Sequence, residues 1–322
     1  MPTVLSDDDD GLYAACLLLQ CGRQVVIPTE TVYGLAANAL DYDAVAEIFR
    51  IKGRPSTNPL IVHVHSIEQA GHVAVLNDYA RKLAGAFWPG PLTIVMEASP
   101  AIAENVTAGG STVGVRMPNH DVALRLIKMT NLPLAAPSAN KSEGISPTTP
   151  TDVLRSLGKD SPPIVDGGAC AVGIESTVID VTTDPPRILR PGVITRSQIE
   201  AALGVQTAVG GGEFSIERSP GQMSRHYSPT TDAVIAELLT ETESLPANSA
   251  LIYFSDGDIN LGIFSRSVKL PAHPEGYAAG LYAALHELDQ GKYSTIVIES
   301  PPDTEEWHAI RDRLRRATGA SA

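Results

Sequence analysis

The chain is 322 residues long, 43% hydrophobic and 19% charged, with a formal net charge of −13 and a pI near 5.0. That length supports two domains, the composition excludes a disordered chain, and the acidic balance argues against broad non-specific binding to nucleic acid. Three cysteines, Cys16, Cys21 and Cys170, lack CxxC spacing; they fit a reducing compartment and carry no zinc signature.

The first ten residues hold Asp7 to Asp10 in place of a basic leader region, and no run approaches the ~20 apolar residues of a membrane span, so a cytoplasmic protein is expected. The first predicted element is a helix over residues 11–21, with Leu12, Ala15, Cys16 and Leu19 at helical spacing and Gly22 at its end. Residues 25–27 form a short β-rich run that delivers 28–34 into a loop. A helix over 41–51 carries Ala44, Val45, Ile48 and Phe49 on one face and brings Arg50 and Lys52 to its C-terminal end, where the helix dipole favours cations. Lys52-Gly53-Arg54-Pro55-Ser56-Thr57-Asn58-Pro59-Leu60 follows. Its clustered cations, rigid turn and small hydrogen-bonding side chains suit a phosphate-bearing ligand, although such a cluster read alone is more often a solvated loop.

Residues 60–65 alternate as a strand, with His63 and His65 on one face. No third metal ligand stands near, which favours a ligand-facing His63 over a metal pair. Residues 68–86 read as mainly helical, 92–96 and 112–116 as strands, about 122–130 as a helix and 134–136 as a strand leading into Pro137-Ser138-Ala139-Asn140. A helix over 151–157, strand ends at 164–168 and 176–181, the segment 187–190 and a helix over 197–203 complete the first unit. From Gly210 to Thr230 the chain reads as a linker, yet Arg225, His226 and Tyr227 are unusual choices for inert coil. Beyond it, a strand at 249–254, a helix at 277–288, a strand at 295–299 and a helix at 305–317 predict a small parallel-sheet domain. The expected division is therefore 1–207 as an α+β domain with a twisted mixed sheet and surrounding helices, 208–230 as an ordered linker, and 231–322 as a small α/β, Rossmann-like domain.

No GxSxG, CxxC…H or Walker-type GxxxxGK[ST] pattern occurs. The informative residues are Thr31, Arg54, Asn58, His63, Thr112, Arg116, Ser138 and Ser176, each in a loop or at the end of a predicted strand, from where they can converge on one concave face. A pocket of this composition lacks a covalent nucleophile and favours catalysis by positioning and charge stabilisation, as phosphoryl and nucleotidyl transfer require. Taken singly, Thr31, Thr112 and Ser176 also read as plain strand residues, Ser138 and Ser146 as turn formers, Arg116 as a structural ion pair, Arg190 as a surface charge and His63 as a satisfied imidazole.

Taken together, an ordered series of motifs resembles the long, two-domain form of the threonylcarbamoyl-AMP synthases, whose catalytic unit is a YrdC-like domain. The series is Pro28-Thr29-Glu30-Thr31-Val32-Tyr33-Gly34-Leu35, the segment from Lys52 to Val64, Ser111-Thr112-Val113-Gly114-Val115-Arg116, Ala136-Pro137-Ser138-Ala139-Asn140, Glu175-Ser176-Thr177-Val178, Ser219-Pro220-Gly221 and Arg225-His226-Tyr227-Ser228-Pro229. The resemblance implies synthesis of threonylcarbamoyl-AMP and pyrophosphate from L-threonine, bicarbonate and ATP. It implies Mg2+ held mainly by the ATP phosphates, with no side-chain metal ligand. Lys52 and Arg54 would be catalytic. Threonine would lie against Thr31, His63, Arg116, Ser138 and Ser176, with Arg116 holding its carboxylate through two parallel hydrogen bonds. ATP would meet Arg54, Asn58, Thr112, Ala136, Ser138, Ser146 and Arg190, with Lys52 nearby and Tyr227 closing over the nucleotide. The product would pass to separate tRNA-threonylcarbamoyl transferase machinery; direct tRNA binding stays open. Gln222, Met223 and Ser224 stand where the family linker leads one to expect Met, Lys and an aromatic residue. Two other readings share the domain: an RNA-binding module, disfavoured by the net charge, and a hydrogenase-maturation carbamoyltransferase, disfavoured by the lack of zinc-finger cysteines and of an acylphosphatase-like segment. The role of the C-terminal domain stays open.

Overall fold

Most strands in this chain are two to five residues long, too short to bury a face alone, and pairing joins them into one wide mixed sheet. The structure, a computed structural model, describes residues 3–210, 227–237, 247–257 and 259–319. The strand order is Val4–Leu5, Ile164–Val165, Val25–Ile27, Gly34–Asn38, Leu134–Ala135, Ile61–His63, Thr112–Arg116, Leu92–Ala98, Thr177–Asp180, Arg187–Arg190 and Ala208–Val209, with Ala74–Val75 added against Leu92–Ala98. Parallel and antiparallel neighbours are interspersed: Val25–Ile27 pairs antiparallel with Gly34–Asn38, whereas Ile61–His63 runs parallel to Thr112–Arg116. This is the expected mixed sheet with helices around it.

Period-two alternation splits the strands between two cores. Val26, Leu35 and Ala37 pack into the cluster that contains Val45, Ile48 and Phe49 of helix Tyr42–Lys52 and Leu83 of helix Asp78–Phe87. Val25, Ile27 and Ala36 point the other way, against Leu12, Cys16 and Leu19 of helix Asp9–Gln20 and Leu126 of helix Asp121–Thr130. Helix Tyr42–Lys52 starts where Asp41 accepts from the amides of Asp43 and Ala44 and stops at Gly53, whose φ of 63° is the left-handed cap that turns the chain inward at Arg54.

Among the described residues the second unit is a four-stranded, wholly parallel sheet in the order Ala233–Ala236, Thr295–Glu299, Ser249–Tyr253 and Arg266–Lys269, with helices Pro274–Asp289 and His308–Thr318. Its buried cluster takes in Val32, Ile145 and Ile174 of the first unit, so the two units share a core. At Gly173, with φ of 79°, an added Cβ would stand 2.5 Å from the Ala278 carbonyl oxygen; only glycine lets that loop lie against helix Pro274–Asp289.

Several boundaries differ from expectation. Ala208–Val209, expected in the linker, pairs parallel with Arg187–Ile188 and forms an edge strand of the first unit. The expected helix over 68–86 is two helices, Ile67–Val73 and Asp78–Phe87, because Ala74–Val75 pairs with Ala98 and Glu97 and Asn77 caps a new start. Gly34–Asn38, Ala233–Ala236 and Arg266–Lys269 are strands that the sequence pattern did not reveal. Residues 211–226, which include Gln222, Met223, Ser224, Arg225 and His226 of the expected linker, lie outside the described residues. Among the described residues no helix is long and apolar enough to cross a membrane.

Candidate active site

The central strands bury one face and leave the other open. Val62, Val113, Val115, Ile94 and Ile179 enter the core, so alternation turns Ile61 and His63, Thr112, Gly114 and Arg116, Thr93 and Val95, and Val178 to the opposite face. These outward residues line two adjoining cavities. One, of about 50 Å3, is bounded by Thr29, Thr31, Arg54, His63, Arg116, Ser138, Glu175, Ser176, Arg190 and Tyr227 among others. The next, of about 330 Å3, is lined by Thr57, Thr93, Thr107, Ser111, Thr112 and Gly114 among others, and Ile61 belongs to both walls. Parallel register sets His63 beside Arg116.

The loop between Val25–Ile27 and Gly34–Asn38 is fixed by Thr29, whose hydroxyl accepts from the amides of Thr31 and Val32 and donates to the Val32 carbonyl at 2.7 Å. This presents the Thr31 hydroxyl to Arg116 Nη1 at 2.9 Å. Arg116 Nη2 meets Glu30 Oε2 at 2.6 Å, and Nε donates to the Gly90 carbonyl at 3.3 Å. Nε and Nη1 are thereby hydrogen-bonded, whereas Nη2 meets Glu30 as an ion pair and has no hydrogen-bond partner among the described residues. Burial acts to raise the Glu30 pKa, but the Arg116 guanidinium beside it outweighs this and holds the carboxyl below its usual value.

Arg54 is anchored by Nε to the Asn58 carbonyl at 3.1 Å and by Nη2 to the Pro59 carbonyl at 3.0 Å. Burial, with Arg190 adding to it against Tyr227, lowers its pKa to about 10, which leaves it charged at neutral pH. Arg190 donates from Nε to the Ser176 carbonyl and from Nη2 to its hydroxyl, which also shares a 2.8 Å hydrogen bond with Thr93. Glu175 accepts from the Ser146 hydroxyl at 2.6 Å, from Tyr282 at 3.0 Å and from Arg313 Nε at 2.7 Å. Its burial is opposed by the charges of Arg313 and Arg190, and its pKa is held at about 2. His63 is buried, which with the Arg116 charge lowers its pKa to about 3, and its Nδ1 has no hydrogen-bond partner among the described residues. Four guanidiniums thus face or back this wall against the carboxylates of Glu30, Glu175 and Asp312, a positive balance.

Of the residues singled out from sequence, Thr31, Arg54, His63, Arg116, Ala136, Ser138, Ser176, Arg190 and Tyr227 meet on the smaller cavity. Thr112 lies on the larger one. Asn58 contributes its carbonyl to Arg54, and Ser146 stands behind Glu175. Lys52 lines neither cavity. Its Nζ is buried and donates to the carbonyls of Ser138 at 2.5 Å and Asn140 at 2.6 Å, so it fixes the Ser138 loop from behind. Burial, then the charges of Arg54 and Lys141, push its pKa well down. Arg116, expected to offer an open fork, already holds Glu30. Glu30, Glu175, Tyr282 and Arg313 were not assigned from sequence. The signal for Arg313 was present: it falls on the buried stripe Ala309, Ile310, Arg313, Leu314, Ala317 of an otherwise charged helix.

A family model described as "Telomere recombination" (Sua5/YciO/YrdC) matches residues 17–192, and one described as "Threonylcarbamoyl-AMP synthase, C-terminal domain" matches residues 194–319. The threonylcarbamoyl-AMP synthase of Bacillus subtilis is 40% identical over 332 aligned residues, spanning 98% of this chain and 95% of that protein. Its counterpart from Pyrococcus abyssi is 38% identical over 309 residues, spanning 92% and 91%. A crystal structure of P. abyssi Sua5 complexed with L-threonine superposes with a TM-score of 0.90 at 35% identity, covering 99% of this chain and 98% of that one.

Proposed function

The chain belongs to the threonylcarbamoyl-AMP synthase family, and on that premise we propose that it converts L-threonine, bicarbonate and ATP into threonylcarbamoyl-AMP and pyrophosphate. The threonine amine and bicarbonate combine to a carbamate with loss of water. A carbamate oxygen then attacks the α-phosphorus of ATP, a P–O bond forms, and the bond to pyrophosphate breaks. In this reading the protein is a nucleotidyltransferase of the cytoplasm whose product feeds a separate threonylcarbamoyl transfer onto tRNA.

The observation that carries the reading is electrostatic. The cavity has a positive balance, and its ionisable wall is far from neutrality: His63 near 3, Glu175 near 2 and Arg54 near 10. A wall of that kind does not trade protons at pH 7; it positions reactants and stabilises charge, which is what transfer at phosphorus needs. We assign threonine to the smaller cavity. Its carboxylate would take the Nη donors of Arg116 that Thr31 does not occupy, and its polar groups would meet the Thr31 and Ser176 hydroxyls and the unpartnered Nδ1 of His63. Neutral His63 orients rather than acts as base, since a group with a pKa near 3 is a weak proton acceptor. We assign the nucleotide to the larger cavity, with Thr112, and to the shared boundary, with Arg54, Ala136, Ser138, Arg190 and Tyr227 near its phosphates and Asn58 and Ser146 supporting. The larger cavity falls in the usual range for small-molecule sites. Lys52 acts through the Ser138–Asn140 backbone that it holds.

Among the described residues no three His, Cys, Asp or Glu side chains converge to hold a metal ion. The Mg2+ of this reading would travel with the ATP phosphates, where it would offset charge on the departing pyrophosphate. The test is pyrophosphate release by the purified protein, with each substrate omitted in turn and Arg54→Ala alongside. Release that needs all three substrates and collapses in the variant supports the reading; release without threonine refutes it.

A further inference from the structure

The second unit backs the site with a buried cation behind Glu175. Arg313, on helix His308–Thr318, is fully buried, with no exposed side-chain surface. Its Nε donates to Glu175 Oε2 at 2.7 Å, Nη2 to the Glu175 carbonyl at 3.2 Å and Nη1 to Asp312 at 2.7 Å. Its guanidinium carbon stands 5.4 Å from the centre of the Tyr227 ring. Tyr282, on helix Pro274–Asp289, donates its hydroxyl to the same Glu175 oxygen, and its ring lies 5.9 Å from that of Tyr227. Glu175 and Tyr227 both line the smaller cavity. Two walls of that cavity are therefore held by side chains from 107 to 138 residues further along the chain than Glu175.

We propose that Arg313 and Tyr282 are positioning residues of the active site, by which docking of the C-terminal domain holds Glu175 and Tyr227 in the cavity wall and so governs retention of the nucleotide. This gives the domain a part in the reaction and rests on the functional reading above. The physical argument is one of satisfaction. A buried carboxylate facing a ligand cavity is costly unless a cation meets it, and among the described residues the first unit supplies it the Ser146 hydroxyl and the more distant charge of Arg190. Arg313 supplies the missing charge and offers its face to Tyr227, a cation–π contact that gains strength where water is excluded. When the second unit undocks, Glu175 and Tyr227 lose these partners together.

The experiment uses the full chain as wild type, R313M, E175Q/R313M and Y282F. Four quantities are read: melting temperature, ATP affinity by calorimetry, pyrophosphate release, and hydrogen exchange at the Ser228 amide, which donates to the Glu143 carbonyl at 2.9 Å. R313M is expected to melt earlier because it strands a buried carboxylate. The double variant removes both charges and is expected to regain much of that loss, yet to keep ATP binding about tenfold weaker and Ser228 exchange about tenfold faster than wild type. Y282F removes one hydroxyl and is expected to shift both about threefold in the same sense. Folded variants with wild-type ATP affinity and Ser228 exchange would overturn the proposal and leave the pair a purely structural one. A wild type that releases no pyrophosphate would instead refute the functional reading, while exchange at Ser228 would still decide this one.

Discussion

Glu175→Gln changes one atom in a buried network, and its effect follows from the site. The carboxyl is held at about 2 against an ordinary value of 4.5. A pKa lowered in the folded state means that the ionised form favours folding. The contribution is complete above about pH 4.5 and is lost as pH falls toward the folded value of about 2. The shift corresponds to about 3 kcal/mol at pH 7. Gln cannot be ionised, and the variant takes from buried Arg313 one of its two carboxylate partners, Asp312 being the other, which adds to the loss. Urea unfolding at pH 7 should therefore find Glu175→Gln less stable by about 3 kcal/mol, and at pH 3 the gap should narrow by about 2 kcal/mol, since the carboxyl of the unfolded wild-type chain is by then protonated while the folded one is still largely ionised. A gap that does not change with pH, or no gap at pH 7, would show that the Arg313 pairing does not hold this carboxylate ionised.

Arg54→Lys should lower kcat/KM for ATP by about 10- to 150-fold, because a lysine cannot keep both carbonyl anchors and still offer a directed donor to phosphate; steady-state kinetics on a folded variant checks this. Lys52→Met should leave the Ser138 and Asn140 carbonyls without their donor, destabilising the fold by about 1–3 kcal/mol and raising KM, and Lys52→Arg should fail to restore KM because a planar fork does not fit between two carbonyls 2.5 and 2.6 Å from a point charge. His63 should show no titration between pH 5 and 8 in its ring proton resonances. Because its folded pKa lies below the ordinary 6.5, it should weaken the fold as pH drops below that value, and Asn in its place should flatten that part of the stability curve.

Much of the site was legible because its residues lie at the ends of short strands that composition marks well. Thr112–Arg116 matches the expected strand, and the helix expected over 41–51 is Tyr42–Lys52, with Asp41 as its N-cap. Gly34–Asn38 was missed because Gly-Leu-Ala-Ala-Asn has weak β propensity and is buried on both faces, so no alternation shows. The partners of the charged residues were harder to read. Glu30 and Glu175 stand inside recognised motifs, yet a carboxylate beside a phosphate-binding cavity makes physical sense only once its counter-ion is found. For Glu30 that is Arg116, brought near by strand register and a loop, and for Glu175 it is Arg313, 138 residues away. Lys52 was read as a ligand-facing cation because local spacing cannot tell a side chain that meets a ligand from one that ties down the loop behind it.

The central claim is tested most directly by incubating the protein with isotopically labelled bicarbonate, L-threonine and Mg-ATP and examining the nucleotide product by mass spectrometry. The account predicts a threonylcarbamoyl-AMP species that carries the label, appears in step with pyrophosphate and is absent when threonine is withheld. Pyrophosphate released with AMP and no labelled adduct would contradict it.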